Sequence, residues 1–314
     1  MLLLLQYTLI FASVLMLVAL GGCFAERSGV INIGLEGIMV IGALGGALVL
    51  KFLPVTVGPL VMVTVTVLAS ALLGMLYSLL LAVAAISFKA DQTITGTAMN
   101  MLATAGATVA VKAMNTAASG GNDVSSDIAY THTKDLLLVR MGNFEFNWFM
   151  LVAVLCLIAS YVILYKSKFG LRLRACGEHP QAADSVGINV YKMRYAGVLI
   201  SGLLGGLGGI VYITAGVSVW KFEYGVAGFG FLAMAVMIFG GWHPIKIALA
   251  SLLFGFCRAL GNVYSGFSFL MALNIPSVVY NMLPYLISLV VLAFTSKNSR
   301  GPKASGIPYD KGTR

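Results

Sequence analysis

Few residues in this chain have the types and spacing to do chemistry, and none is arranged for covalent catalysis. Glu36 is an acid within an apolar run, inside Asn32-Ile33-Gly34-Leu35-Glu36-Gly37, where the glycines let the backbone loosen. A carboxylate in hydrocarbon is costly unless it faces protein or water. Asn32 and Glu36 therefore either border a polar route through the protein or clamp neighbouring backbone, with Arg27 as a nearby cation. Further on, Thr93, Thr97, Asn100, Thr104 and Thr108 recur at steps of four, three, four and four. At about 100° per residue they share one narrow helix face. An uncharged polar stripe backed by Ala, Met, Leu and Val is what a path for a neutral polar solute requires. Threonines bonded back to their own helix or to neighbours give the same pattern.

A third feature is mechanical. Lys166–Arg194 lies between apolar runs and carries Lys166, Lys168, Arg172, Arg174, Lys192 and Arg194 against Glu178 and Asp184, a net of +4. A short loop so charged belongs on the cytoplasmic side of a membrane. Within it His179 precedes Pro180, which suits a first helical turn, and Gln181–Val186 run without a breaker to Gly187. The expected product is a short helix held against the inner face, presenting a docking surface.

Enzyme signals are poor. His132, His179 and His243 have no metal-ligand spacing, and no serine sits in a nucleophile elbow. No Gly-Lys dipeptide occurs, so a phosphate-binding Walker loop is absent and any nucleotide hydrolysis falls to another chain. Cys23, Cys156, Cys176 and Cys257 are scattered and read as small apolar fillers.

The elements that must position these residues are membrane spans. The 314 residues are 59% hydrophobic and 10% charged, which places the chain outside the soluble class, and the mean hydropathy is +0.94. Of the net charge of +9, the central loop supplies +4 and the segment 297–314 another +4, so the excess marks topology and not a nucleic-acid partner. Apolar runs near the length of a bilayer crossing cover 2–22, 29–50, 57–86, 92–111, 148–165, 195–218, 226–242, 245–263 and 277–296. The expected fold is thus an all-α polytopic membrane protein of about nine spans (eight to ten) with a cytoplasmic coupling helix. Run 29–50 is glycine-interrupted and 226–242 is short, so either could be broken or re-entrant, and a tenth crossing could hide in the third run. Leu20-Gly21-Gly22-Cys23 resembles a lipoprotein cleavage box, but the opening lacks a positive start and is read as a retained first span.

Residues 1–296 then form a single transmembrane domain with its coupling loop at 166–194 and an external loop at 112–147, net −1, followed by a basic cytoplasmic tail, 297–314. The N-terminus falls outside. Gly42/Gly46, Gly202/Gly206 and Gly205/Gly209 are small-xxx-small pairs that let helices approach closely. The starts Gly29–Gly34 and Gly225–Gly230 make a weak internal repeat of the kind transporter halves show.

With these residues assembled, the chain resembles a known family. Glu26–Gly37, Ile94-Thr95-Gly96-Thr97-Ala98-Met99-Asn100, Arg174–Asp184, Gly187-Ile188-Asn189-Val190 and Phe231–Val236 are similar, in order, to signatures of bacterial simple-sugar and nucleoside permeases. Those permeases belong to the branched-chain amino acid and ribose permease superfamily of ABC importers. The resemblance is strongest to nucleoside permeases that work with a basic membrane lipoprotein. It implies a multi-pass subunit of the bacterial inner (plasma) membrane with a cytoplasmic C-terminus. It further implies an ABC ATPase partner, a second related permease in a heterodimer, an external substrate-binding lipoprotein, and a small-molecule substrate moved past surrounding lipid. No cofactor is expected on this chain, since ATP and Mg would sit on the ATPase.

Gln181-Ala182-Ala183-Asp184-Ser185-Val186-Gly187 is similar to the EAA-x-x-x-G coupling loop, with Gln for Glu. By that likeness Glu178, His179, Pro180, Gln181, Ala182, Ala183, Asp184 and Gly187 are the coupling residues. No Ile-x-Leu-Pro follows, so the match is to the role and not to the full motif. A simple-sugar or flavin-type vitamin permease is the alternative substrate class, and an ion-coupled secondary transporter using Glu36 is the alternative mechanism.

Overall fold

Hydrocarbon offers no partner for backbone N–H and C=O groups, so long apolar runs are satisfied as helices. The computed structural model describes residues 2–141, 144–215, 218–267, 271, 276–295 and 301–311. In chain order the helices are α1 (Leu2–Ser28), α2 (Leu35–Phe52), α3 (Pro59–Ala82), α4 (Gln92–Ala118), the single turn α5 (Thr131–Lys134), and α6 (Trp148–Tyr161). There follow α7 (Lys168–Glu178), α8 (Pro180–Ser185), α9 (Val190–Ile213), α10 (Phe229–Phe239), α11 (Pro244–Val263) and α12 (Ser277–Thr295). Helices α3 and α6 each end in a wider π turn, Val83–Ser87 and Val162–Lys166. Among the described residues, 7 helices are long and apolar enough to cross a bilayer. The chain is a mostly helical, multi-pass membrane protein.

Several expected boundaries shift for local reasons. The second run becomes helical only at Leu35, because Gly29–Gly34 stays open. The sixth starts five residues early, at Val190, where Asn189 Oδ1 accepts the Lys192 N–H at 3.0 Å and caps the helix inside the basic loop. The run at 226–242 yields only the 11 residues of α10, roughly 16 Å long at about 1.5 Å per residue, half of a bilayer core. The third run is one unbroken helical rod with no hidden crossing.

The 112–147 loop also carries strands, one of which pairs with a strand that follows α9. β1 (Asp127–Ala129) pairs antiparallel with β4 (Val219–Lys221), and β2 (Leu138–Met141) with β3 (Phe144–Asn147). Three- and four-residue strands are too short for an alternation to announce them.

Helices α1 and α9 form the enclosed centre. Val14, Leu15 and Leu17–Leu20 of α1 are buried, as are Leu204, Leu207 and Ile210–Ile213 of α9. What lets α9 sit there is the absence of side chains on its glycine edge. A Cβ on Gly42 of α2 would strike the Gly206 backbone, and one on Gly206 would strike Ser70 O of α3 and stand 3.0 Å from Gly74 Cα. Three backbones therefore meet at Gly42, Gly74 and Gly206, the close approach that small-xxx-small spacing permits.

Helix ends sort to two poles. Tyr130 Oη donates to Ile213 O at the C-terminal end of α9, placing β1 at one pole. At the other, Ala304 N–H donates to Gly177 O at 2.8 Å, so the central loop and the tail share one end of the bundle. Lys297, Arg300 and Arg314 of the tail lie outside the described residues.

Candidate functional site

The open stretch 29–34 would be untenable in hydrocarbon if its backbone groups were left alone. Side chains of α4 satisfy it. Ile31 N–H donates to Gln92 Oε1 at 2.7 Å, Gly37 N–H to Asn100 Oδ1 at 2.8 Å, and Asn100 Nδ2 donates to Ile33 O at 3.0 Å. Buried Asn32 donates through Nδ2 to Ser201 Oγ of α9 at 2.8 Å. Glu36 reaches across to the second glycine-rich start. Its Oε1 accepts from Gly228 N–H at 2.7 Å and its Oε2 from Gly230 N–H at 2.6 Å, at the N-terminus of α10. That carboxylate satisfies two orphan amides and meets the positive end of the helix. The two segments of the weak sequence repeat are thus joined to each other through Glu36.

The polar stripe of α4 borders this knot. Asn100 is part of it. Thr97 Oγ1 donates to Thr93 O at 2.8 Å and Thr104 Oγ1 to Asn100 O at 3.3 Å, both bonding back along the helix. Thr93 and Thr97 are exposed, while Asn100, Thr104 and Thr108 are half-buried. The buried edge of α4 runs beside the stripe, through Gln92, Gly96, Met99, Ala103 and Ala107. Gln92 and Ser201 were missed by the stripe pattern. Gln92, Gly96 and Asn100 do repeat every four residues, which was the available signal.

Because Thr97 bonds only within its own helix and Asn100 holds two backbone groups of another segment, their substitution should separate cleanly. Thr97→Val is expected to change stability by less than about 0.5 kcal/mol. Asn100→Leu, which strands the Gly37 N–H and the Ile33 carbonyl, is expected to cost roughly 2 kcal/mol or more. Melting of the two purified variants in detergent checks this; equal midpoints would count against the role given to Asn100.

At the pole of the central loop, Ser167 Oγ accepts from Gly170 N–H at 3.0 Å and starts α7. Pro180 opens α8, and Gly187, at φ +84°, closes it through Gly187 N–H to Asp184 O at 2.9 Å and Ile188 N–H to Ala183 O at 3.1 Å. The anticipated helix is present as a six-residue element. Its faces are unequal. Pro180 is buried and Ala183 packs with Cys176, Val190 and Tyr309, whereas His179, Gln181, Ala182 and Gly187 are exposed and Glu178 and Asp184 are half-covered. Ala183 and Pro180 therefore seat the helix and do not face outward. Beneath it, burial pushes the Cys176 thiol up to about 11, which keeps it protonated and unreactive.

The base of α7 is tied to α1 and to the turn after α10. Arg27 Nη1 lies 3.7 Å from Glu178 Oε1, while its Nε and Nη2 donate to Trp242 O at 3.4 and 3.2 Å. Trp242 Nε1 in turn donates to Glu26 Oε2 at 2.6 Å. The path of contacts from α8 to Glu36 is thus continuous: α7, the Arg27–Trp242 joint, α10, and the amides at the start of α10.

Residues 4–294 match the family described as branched-chain amino acid transport system / permease component. Among curated proteins, the guanosine ABC transporter permease protein NupQ of Bacillus subtilis is 42% identical over 313 residues, covering 98% of this chain and 96% of that protein. The nucleoside ABC transporter permease protein NupC of Lactococcus lactis is 38% identical, covering 96% and 95%. The nucleoside ABC transporter permease protein NupB of the same organism is 24% identical, covering 76% and 67%. No solved structure matches.

Proposed function

We infer that this chain, which belongs to the branched-chain amino acid transport system / permease component family, is the membrane-spanning subunit of an ATP-driven ABC importer for nucleosides. The observation that carries the assignment is the near full-length identity to permeases named for guanosine and for nucleosides. An uncharged stripe of Thr93, Thr97, Asn100, Thr104 and Thr108 suits a neutral, hydroxyl-rich solute. The chain is a transport subunit and not an enzyme; ATP and Mg belong to a partner ATPase.

In the arrangement we propose, residues 1–296 act as one permease domain of nine membrane segments, counting the short α10 and α12, in the bacterial inner membrane. The basic central loop and tail face the cytoplasm by the positive-inside rule, and the pole bearing β1 and β4 faces outward, where a substrate-binding lipoprotein would dock. A second permease would cover the flank of α4, on which Ile94, Met101 and Val109 are each at least 66% exposed. Thr93 and Thr97 would then line the joint between two subunits. The occurrence of NupB and NupC as two nucleoside permeases in one organism supports a heterodimer.

The ATPase would bear on His179, Gln181, Ala182 and Gly187. Its push would pass through α7 and the Arg27–Trp242 joint to α10, and from α10 through Glu36 to the 29–37 segment held by Asn100. Outward and inward access would alternate as the ATPase favours one arrangement over the other.

Proteoliposomes carrying this chain with its second permease, ATPase and binding protein are expected to accumulate labelled guanosine only when ATP is supplied. Uptake by this chain alone under an ion gradient would replace the importer with a secondary carrier. ATP-driven uptake of a sugar or flavin without nucleoside uptake would overturn the substrate.

A further inference from the structure

The tail has no helix or strand of its own between Gly301 and Lys311, yet it is fixed to three elements at the pole of the central loop. Ala304 N–H donates to Gly177 O of α7 at 2.8 Å, and Ile307 O accepts from Arg194 Nη1 of α9 at 2.8 Å. The Tyr309 ring is buried and packs edge-on to Tyr191, with centroids 5.3 Å apart. Asp310 Oδ2 pairs with Lys89 Nζ, in the link between α3 and α4, at 2.8 Å.

Held there, the tail forms a wall of both grooves beside α8. One, of about 210 Å³, lies between Glu178, His179 and Gln181 on one side and Lys303, Ile307 and Pro308 on the other. The second, of about 340 Å³, runs along Asp184, Gly187, Asn189 and Tyr191 and is bounded by Lys311. The tail supplies Lys303, Ala304, Ile307 and Pro308 to the first groove and Lys311 to the second.

We propose that the Gly301–Lys311 strap is a second docking element for the ATPase subunit, which it and α8 engage together. The proposal rests on the docking role given to α8 above. Val186, at the end of α8, is 74% exposed and Ile307 of the strap 58%; exposed Lys303 lines the first groove beside Ile307 and Glu178, and exposed Lys311 lines the second beside Asp184. Exposed apolar side chains with a strap lysine on each groove suit a partner protein whose surface offers apolar area and carboxylates for those two lysines. The strap also adds a route for force. Through Asp310 and Lys89 it reaches the start of α4, the helix that bears the stripe, without passing through α10.

The test places a benzophenone amino acid at Ile307 and, separately, at Gln181 of the assembled transporter in its membrane. Cross-linking of both positions to the ATPase is the expected result. Cross-linking from Gln181 alone, or from Ile307 to lipid or the second permease, overturns the strap's role while leaving that of α8 intact. Failure of both removes the docking role of α8 and the strap with it. As a second measurement, Lys303→Glu combined with Lys311→Glu leaves Tyr309 and its anchors in place and is expected to weaken ATPase retention about fivefold to tenfold. Undiminished retention overturns the proposal.

Discussion

Gly206→Val is expected to remove the protein from the membrane, while Gly106→Ala, on the open side of α4, leaves its amount unchanged. Overpacking usually costs about 1–3 kcal/mol, because side chains can change rotamer to make room. Around Gly206 no such relief exists. The added carbon would meet Ser70 O and the Gly74 backbone, and the Gly42 position of α2 closes the third side. Backbone cannot rotate away, so whole helices would have to separate at the centre of the bundle, for a cost above about 3 kcal/mol. Against a total stability of roughly 5–15 kcal/mol, that is enough to send most of the protein to degradation. A Cβ on Gly106 meets nothing within 4 Å, and alanine is the better helix former. Membrane immunoblots and size-exclusion profiles in detergent measure both variants. Normal yield and a single monodisperse peak for Gly206→Val would show that α2, α3 and α9 do not meet as described.

What local rules govern was legible in the sequence; what distant partners govern was not. Pro180 and Gly187 bounded α8 correctly, since a proline at the first turn and a left-handed glycine beyond the last are constraints of the chain itself. The glycine pairs of α2 and α9 were equally readable, because four-residue spacing alone puts them on one edge. The start of α2 was not. Gly29–Gly34 is apolar enough to pass as helix, and what keeps it open is Gln92 and Asn100, more than sixty positions away.

The stripe of α4 shows the same limit in another form. Periodicity grouped its members, but the face that turned inward lies to one side, and half-buried Asn100 reaches across to Gly37 and Ile33 from between the two. For the tail, charge indicated the pole and said nothing of the Gly177, Arg194 and Lys89 contacts. Ala183 was grouped with the coupling residues, and its burial was not legible because a seven-residue motif does not reveal which side packs.

Glu36→Ala is expected to free the start of α10 and stop transport while leaving the pole of the central loop assembled. The carboxylate accepts from Gly228 N–H through Oε1 and from Gly230 N–H through Oε2. Removing it leaves two amides without acceptors in a low-dielectric setting, at about 1–3 kcal/mol each. Glu36→Gln is no conservative substitute, since its NH₂ group would point a donor at a donor and preserve only one of the two bonds. Hydrogen exchange at Gly228 and Gly230 should therefore accelerate roughly tenfold or more in both variants, with alanine the faster. Cross-linking from Gln181 to the ATPase should persist, because α8 is seated by Pro180, Ala183 and the Arg27–Glu178 pair and not by Glu36. Transport should fall in step with the exchange rate if α10 carries force through this joint. Were uptake lost in Glu36→Gln while the two amides stayed protected, Glu36 would act on the solute and not on the helix. Unimpaired transport with accelerated exchange would instead show that the short helix can loosen without consequence, and the route from α8 to the 29–37 segment would have to run elsewhere.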